Sequence, residues 1–142
     1  MKMINFEDLG DSRGGLVAFE QHKNVPFEIK RVYCIYEVKK NVSRGFHSHK
    51  NLEQVAICIN GSCTIVLDDG LLKRSVVLSS PKTGLYIGKN IWREMHDFTS
   101  DCVLLVLASE LYDEDDYIRS YTQFLKEIEI LLFVFFNFVI LV

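Results

Sequence analysis

The sequence predicts one all-β domain, a small sandwich or barrel, followed by a C-terminal helix. Short runs rich in β-branched and aromatic residues recur about every 8 to 12 residues, with turn residues between them. Helical character appears only after the acidic run at 113–116. The chain has 142 residues, of which 49% are hydrophobic, and this is enough material for a single core.

The predicted strands are, in chain order, residues 16–20, 29–38, 53–59, 62–67, 75–78, 84–88 and 102–108. Asn60 and Gly61 separate the third and fourth of these, and this dipeptide is a strong signal for a hairpin turn. Asp68-Asp69-Gly70 predicts the next turn. A helix is predicted over 117–128, because the acidic residues before it favour the positive end of the helix dipole.

Composition limits the partners and the compartment. The net charge of −3 and the pI near 5.8 give no basic stripe, so no nucleic acid partner is expected. The N-terminus lacks the apolar stretch of a signal peptide, and the cytoplasm is therefore expected. The cysteines show neither paired nor secreted-framework spacing, which predicts buried thiols in a reducing compartment. They are Cys34, Cys58, Cys63 and Cys102.

The C-terminus is unusual. Residues 130–142 are apolar except for Asn137. A helix of this length reaches only about 20 Å, short of the roughly 30 Å of a hydrocarbon core, so no membrane span is predicted. We therefore divide the chain into a domain at 1–129 and an apolar tail at 130–142 whose role the sequence does not indicate.

Two histidines, His47 and His49, are the most informative feature of the chain. If their run is a strand, residues two apart point to the same face, and the imidazoles lie roughly 6 to 7 Å apart along it. Glu53 follows four residues later. A His-x-His-x3-Glu row on one strand can either hold a metal ion or transfer protons, and at this point both interpretations stay open.

This row, followed by Gly61 and by a second glycine-containing stretch at 88–96, resembles the cupin superfamily. In metal-dependent cupins the second stretch supplies a further histidine, but the corresponding position here is Arg93. Arginine cannot coordinate a cation and repels it. His96 would fall on the opposite face of a strand. The sequence therefore predicts no metal at this site.

A closer resemblance covers about residues 4–124 and is to the nucleotide-sugar 3,4-ketoisomerases. The matching runs are 11–14 (DSRG), 29–33 (IKRVY), 44–50 (RGFHSHK), 52–55 (LEQV), 60–63 (NGSC), 92–98 (WREMHDF) and 112–119 (YDEDDYIR). The resemblance implies a cupin-type (jelly-roll) small β-barrel with a C-terminal helix, a homodimer and no cofactor. It also implies conversion of dTDP-4-keto-6-deoxy-D-glucose into a dTDP-3-keto-6-deoxyhexose, which feeds 3-amino-3,6-dideoxy sugars of bacterial surface glycans. Members make both C4 configurations, so none is predicted.

The residues suit this chemistry. The ketone moves when C3 loses a proton, an enediol(ate) forms and C4 gains a proton, and an imidazole with a pKa near 6.5 can both accept and donate. We assign the carbon-to-carbon transfer to His49 and oxyanion stabilisation to Arg93. His47 would either transfer protons between O3 and O4 or donate a hydrogen bond to the enediolate. The expected substrate-binding residues are Arg13, Arg31, Tyr33, Arg44 and Gln54.

Two other functions stay open from the sequence. One is a different enzyme, either a nucleotide-sugar 3,5-epimerase or a metal-dependent cupin enzyme. The other is a non-catalytic sugar-binding cupin.

Overall fold

Two five-stranded antiparallel sheets form the protein, as the all-β prediction requires. The computed structural model describes the backbone of residues 1–140 and the side chains of residues 1–135. The strands are β1 (Lys2–Asn5), β2 (Arg31–Tyr36), β3 (Arg44–His49), β4 (Gln54–Asn60), β5 (Cys63–Asp68), β6 (Lys73–Leu78), β7 (Thr83–Ile87), β8 (Trp92–His96), β9 (Val103–Ala108) and β10 (Tyr117–Ile118). One sheet has the order β1-β7-β4-β9-β2 and the other β10-β3-β8-β5-β6.

The main core lies between the two sheets and explains the alternation along β2 and most of β5. Ala56 of β4, Ile65 of β5 and Leu104 of β9 are each 0% exposed and belong to one apolar cluster. Three of the four cysteines are buried in the same cluster, as predicted. The prediction is wrong for Cys34, which is exposed because β2 lies at a sheet edge and alternates between its two faces.

Strands β4, β5, β6, β7 and β9 coincide with the predicted runs to within one or two residues. The strand predicted at 16–20 is wrong, since this segment has no regular structure. Its apolar alternation has another cause: Val17 and Phe19 pack onto a second cluster, where the Phe19 ring lies 4.8 Å from that of Phe6. An irregular segment lying on a sheet can thus show the same alternation as a strand.

The C-terminal helix begins later than predicted. A 3-10 helix at Glu114–Asp116 leads into β10, where Tyr117 pairs with His49 and Ile118 with Ser48. The α-helix α1 (Tyr121–Ile140) follows. The prediction from position 117 is wrong because the first two residues extend the sheet instead of starting the helix.

Helix α1 continues through position 130, where the predicted apolar tail begins, and positions 141 and 142 lie outside the described residues. Within the described part of the chain, no helix is both long and apolar enough to cross a membrane. Phe124 and Trp92 anchor the start of the helix in a third buried cluster.

Candidate active site

A cavity of about 600 Å³ opens between β2, β3 and the segment after β9. Arg31 and Tyr33 line it from β2, and Arg44 and His47 line it from β3. The C-terminal segment supplies Tyr112, Tyr117 and Arg119. Strand β10 holds this segment against β3. The cavity therefore depends on the pairing of Tyr117 and Ile118 with β3, the same pairing that delays the start of α1.

A bulge in β3 shapes this cavity. Gly45 and Phe46 both have positive φ, 89° and 55°, and the register with β8 shifts between Gly45 and His47. A Cβ at Gly45 would lie 2.8 Å from the carbonyl oxygen of Arg93, so the close approach of the strands requires glycine there. Bulges re-aim side chains, and both Phe46, which is largely exposed, and His47 line the cavity at this bulge.

His47 is held in one tautomer by its own strand. Its Nδ1 lies 2.9 Å from the carbonyl oxygen of Gly45, which can only accept, so Nδ1–H donates. Nε2 then carries a lone pair. Burial and then the positive charge of Arg93 lower the pKa of His47 to about 4, so the ring is neutral at pH 7 and able to accept a proton.

His49 is fixed in the same tautomer by a carboxylate. Its Nδ1–H donates to Oδ2 of Asp116 at 3.1 Å. Burial, then the charge of Arg93, lowers the pKa of His49 below its ordinary value. The ring is 1% exposed, and its Nε2 has no hydrogen-bond partner among the described residues.

The Asp116 carboxylate is itself fixed. It accepts the backbone N–H of Asn51 at 2.8 Å and of Leu52 at 3.2 Å. Burial raises the pKa of this carboxyl, but the two N–H donors and His49 outweigh burial, so the pKa lies below its ordinary value. Asp116 is therefore an anion that orients His49.

The two imidazoles lie side by side, as the sequence predicted. Their ring centroids are 4.9 Å apart and nearly perpendicular, closer than the strand repeat of about 6 to 7 Å. The ring of Tyr117 lies 4.9 Å from His47 and 4.1 Å from His49. Two neutral bases therefore share one aromatic wall.

Arg93 is the most unusual group of the site. It lies on β8 opposite His47 and is 0% exposed. None of its three guanidinium nitrogens has a hydrogen-bond partner among the described residues. Burial lowers the pKa of Arg93 to about 10, and nearby Tyr33, Tyr117 and Asp116 counteract part of this effect. The side chain is still a cation at pH 7, and a buried unpaired cation is costly unless an anion joins it.

The structure separates the predicted substrate-binding residues. Arg31, Tyr33 and Arg44 line the cavity. Gln54 lies behind the wall, 2% exposed, and its Nε2 donates to the Tyr33 hydroxyl at 2.8 Å. Arg13 lies in a different surface depression, where its guanidinium pairs with Asp11.

Sequence reasoning missed four residues as members of the site: Tyr112, Asp116, Tyr117 and Arg119. Arg119 stacks on Tyr117, with 4.2 Å between Cζ and the ring centroid. Arg31 lies between two rings, 5.3 Å from Tyr33 and 5.7 Å from Tyr112. Their run is acidic and resembles a helix start, so its spacing carries no signal for a site. Only the resemblance of 112–119 to a family pointed there.

The predicted His-x-His-x3-Glu row is not formed, since β3 ends at His49. Glu53 instead accepts a hydrogen bond from the Tyr86 hydroxyl. Among the described residues, the only group of three potential ligands close enough to hold a metal ion consists of cysteines in the core. His96 pairs with Glu94 on the face of β8 opposite Arg93, as predicted.

The site thus combines two oriented, neutral bases with a buried cation. Such a set can remove a proton next to a carbonyl group, stabilise the resulting oxyanion and return the proton to a neighbouring carbon.

Comparison with known proteins agrees with this chemistry. A family model described as FdtA: WxcM-like, C-terminal matches residues 1–129. The chain is 58% identical over 127 residues, 89% of this chain and 91% of the relative, to the TDP-4-oxo-6-deoxy-alpha-D-glucose-3,4-oxoisomerase of Aneurinibacillus thermoaerophilus.

Solved structures of 3,4-ketoisomerases are also similar to this chain. A 3,4-ketoisomerase from Helicobacter canadensis is 52% identical with a TM-score of 0.87, over 90% of this chain and 96% of that chain. QdtA, a sugar 3,4-ketoisomerase from Thermoanaerobacterium thermosaccharolyticum in complex with TDP, is 51% identical with a TM-score of 0.88, over 90% and 93%. A likeness to an epimerase from Mycobacterium tuberculosis, 19% identical with a TM-score of 0.70 over 81% and 66%, shows the fold alone.

Proposed function

We propose that this chain, which belongs to the FdtA family (WxcM-like, C-terminal), converts dTDP-4-keto-6-deoxy-D-glucose into a dTDP-3-keto-6-deoxyhexose. Membership makes the chain an enzyme of the isomerase class, a nucleotide-sugar 3,4-ketoisomerase. The single observation that supports our assignment of residues is the arrangement of two neutral imidazoles around an unpaired buried guanidinium.

His47 is the carbon base in this proposal. It is the imidazole that lines the cavity, and its Nε2 lone pair is available because Nδ1–H is bound to Gly45. It takes the proton from C3 and returns it to C4. This reverses the allocation that the sequence suggested, because His49 is 1% exposed and lies deeper.

His49 moves protons between O3 and O4. Its unpartnered Nε2 can accept a hydroxyl proton, and Asp116 stabilises the imidazolium that forms. Arg93 stabilises the enediolate between the two proton transfers. Burial, and after it the charge of Arg93, keeps both histidines neutral before the substrate reacts.

The nucleotide end requires cations for a diphosphate. Arg31, Arg44 and Arg119 all line the cavity. A guanidinium can bind phosphate oxygens through two hydrogen bonds. Tyr33 positions the sugar, and Gln54 holds the Tyr33 hydroxyl in place by donating a hydrogen bond to it.

We also propose a homodimer. Strand β2 lies at a sheet edge and exposes Val32 and Tyr36, which are 55% and 61% exposed. Unpaired edges that carry apolar residues favour association. Because β2 also supplies Arg31 to the cavity, a second copy on this edge would lie beside the site, and we assign the contact of Arg13 with substrate to this copy. Light scattering on unmodified protein and on the Tyr36→Lys variant tests this: the variant should be a monomer.

The product suits amination at C3, since a ketone is what an aminotransferase needs. We therefore propose that the enzyme contributes to the synthesis of 3-amino-3,6-dideoxy sugars for bacterial surface glycans. We also propose that it acts in the cytoplasm.

The test is incubation with dTDP-4-keto-6-deoxyglucose in D₂O, followed by proton NMR. Unmodified protein should remove the C3 proton, which is seen as loss of its signal, and form the 3-keto product, whose spectrum also gives the C4 configuration. His47→Asn should slow both by about 10²-fold or more. His22→Asn is the matched control, since His22 is exposed at φ 59°, which asparagine tolerates.

Three outcomes would contradict the proposal. Binding without turnover would indicate a sugar-binding protein, and a product inverted at C5 would indicate an epimerase. Loss of turnover on dialysis against EDTA would indicate a metal enzyme. We expect EDTA to have no effect, because Arg93 repels a divalent cation beside the two histidines.

A further inference from the structure

Three thiols meet in the core between the sheets. The Sγ atoms of Cys58, Cys63 and Cys102 all lie within 4.8 Å of one another, and those of Cys58 and Cys102 are 3.7 Å apart. The residues are 0%, 1% and 2% exposed. They come from β4, from the start of β5 and from the residue before β9, so the trio joins both sheets.

The surroundings of the thiols favour a ligand that adds no charge. Burial raises the pKa of Cys58 to about 12 and raises that of Cys63 as well. Those two thiols are therefore neutral, and all three cysteines lie within the apolar cluster that includes Ala56, Ile65 and Leu104. Three thiolates around Zn²⁺ or Cu⁺ would leave net negative charge in this core, which is costly.

We propose that these three cysteines form a binding site for a trivalent thiophilic centre of the arsenic(III) class. Three sulfurs bound at about 2.3 Å to one pyramidal atom with angles of about 100° lie about 3.5 Å apart. The Sγ atoms of Cys58 and Cys102, 3.7 Å apart, are already close to this spacing, and the third sulfur, within 4.8 Å of both, moves about 1.5 Å or less to reach it. The reaction is As(OH)₃ + 3 RSH → As(SR)₃ + 3 H₂O. Three S–H and three As–O bonds break, three As–S and three O–H bonds form, and no atom changes oxidation state. The product is neutral, as the core requires.

Access runs through the turn between β4 and β5. The Cys58 thiol donates to the carbonyl oxygens of Asn60 at 3.0 Å and Gly61 at 3.3 Å. The trio therefore lies directly beneath a short turn, which can open locally without unfolding the domain. None of the three cysteines lines the active-site cavity, so the site is independent of the proposed function.

The experiment is titration of the full chain with sodium arsenite, followed by native mass spectrometry. We expect one arsenic atom per chain with loss of three hydrogens, and a higher thermal midpoint. Cys34→Ser, which removes the exposed thiol, should bind equally well. Cys63→Ala should lower occupancy at least tenfold at equal arsenite concentration, and ketoisomerase turnover should persist in the loaded protein.

Other results would overturn the site. These are no bound arsenic, loss of binding in Cys34→Ser, loss of only two hydrogens, or unchanged binding in Cys63→Ala. Tight binding of Zn²⁺ by the trio would contradict the argument from charge. Circular dichroism checks that Cys63→Ala is folded, and Cys102→Ala replaces it if it is not, with the same expected loss.

Discussion

Replacing Asp116 with asparagine tests whether this carboxylate holds His49 in its working tautomer. Oδ1 of Asp116 accepts from the backbone of Asn51, and Oδ2 accepts from both Leu52 and His49. An amide has one oxygen and one NH₂ group. Only one of the two sides, the side facing Asn51 or the side facing Leu52 and His49, can then still accept hydrogen bonds. If NH₂ faces His49, the ring must accept at Nδ1 and protonate Nε2, and Nε2 can then no longer take a proton.

The size of the effect follows from the step that is lost. General acid–base transfer contributes about 10² to 10⁴ in rate, so Asp116→Asn should lower kcat at least 10²-fold. KM should change little, since Asp116 is not among the residues that line the cavity. Asp115→Asn is the matched control, because Asp115 is exposed and the neighbouring Lys50 binds its backbone oxygen rather than its side chain.

Two measurements separate a change of tautomer from a loss of fold. The product is followed by proton NMR, and a long-range ¹H–¹⁵N spectrum shows which nitrogen of His49 carries the proton. We expect Nδ1–H in the unmodified protein and Nε2–H in the variant. An Asp116→Asn protein with unmodified kcat, or with His49 still protonated at Nδ1 and kcat reduced, would refute the reasoning.

Three further predictions concern the same site. Since the pKa of His47 is about 4, below the ordinary 6.5 or so, kcat/KM should fall on the acid side near pH 4. The unfolded chain binds more protons between these values, so the free energy of unfolding should decline as pH drops from 6.5 or so toward 4. A pH–rate profile with its acid limb near 6.5 would contradict this. Gly45→Ala should lower the free energy of unfolding in urea by about 2 to 4 kcal/mol, from strain and the contact with a carbonyl oxygen. Gly88→Ala, whose new Cβ would meet nothing closer than 3.5 Å, should cost far less. Arg31→Ala should raise KM about tenfold with kcat nearly unchanged, as expected for loss of a phosphate contact. Arg74→Ala, exposed on β6, should leave both constants unchanged.

The sequence predicted the strands of the core well because apolar runs of strand length are separated by turn residues such as Asn60 and Gly61. A period of two appears where one face is buried, as in β2, whereas β4 is buried on both faces. The same signal failed at 16–20, where Phe19 packs from an irregular segment. It also failed at Tyr117, because cross-strand pairing with His49 outweighed the preference of an acidic run for a helix start. Local pattern does not report a partner that lies far away in the chain.

For the site, the type of residue was predictable and the roles were not. The pair His47 and His49 stood out because few other features of the chain suggest acid–base chemistry. Which imidazole faces the cavity depends on the bulge at Gly45, whose positive φ is not visible in the sequence. The partner of His49 lies 67 positions away, so only the folded chain reveals it.

Arg93 has opposite effects on stability and catalysis: its buried charge lowers the free energy of unfolding and accelerates the reaction. It is buried, its nearby anion Asp116 is already bound by His49 and two backbone donors, and both imidazoles are neutral. The positive charge therefore stays uncompensated until an oxyanion forms, and stabilisation is greater for the enediolate than for the ketone, which is what accelerates a reaction. Arg93→Met fills a similar volume without the charge. We expect the variant to be more stable in urea by about 1 to 4 kcal/mol and slower by about 10² to 10³-fold in kcat. A variant that is both less stable and equally active would show that the guanidinium is a structural group and that the oxyanion is stabilised elsewhere.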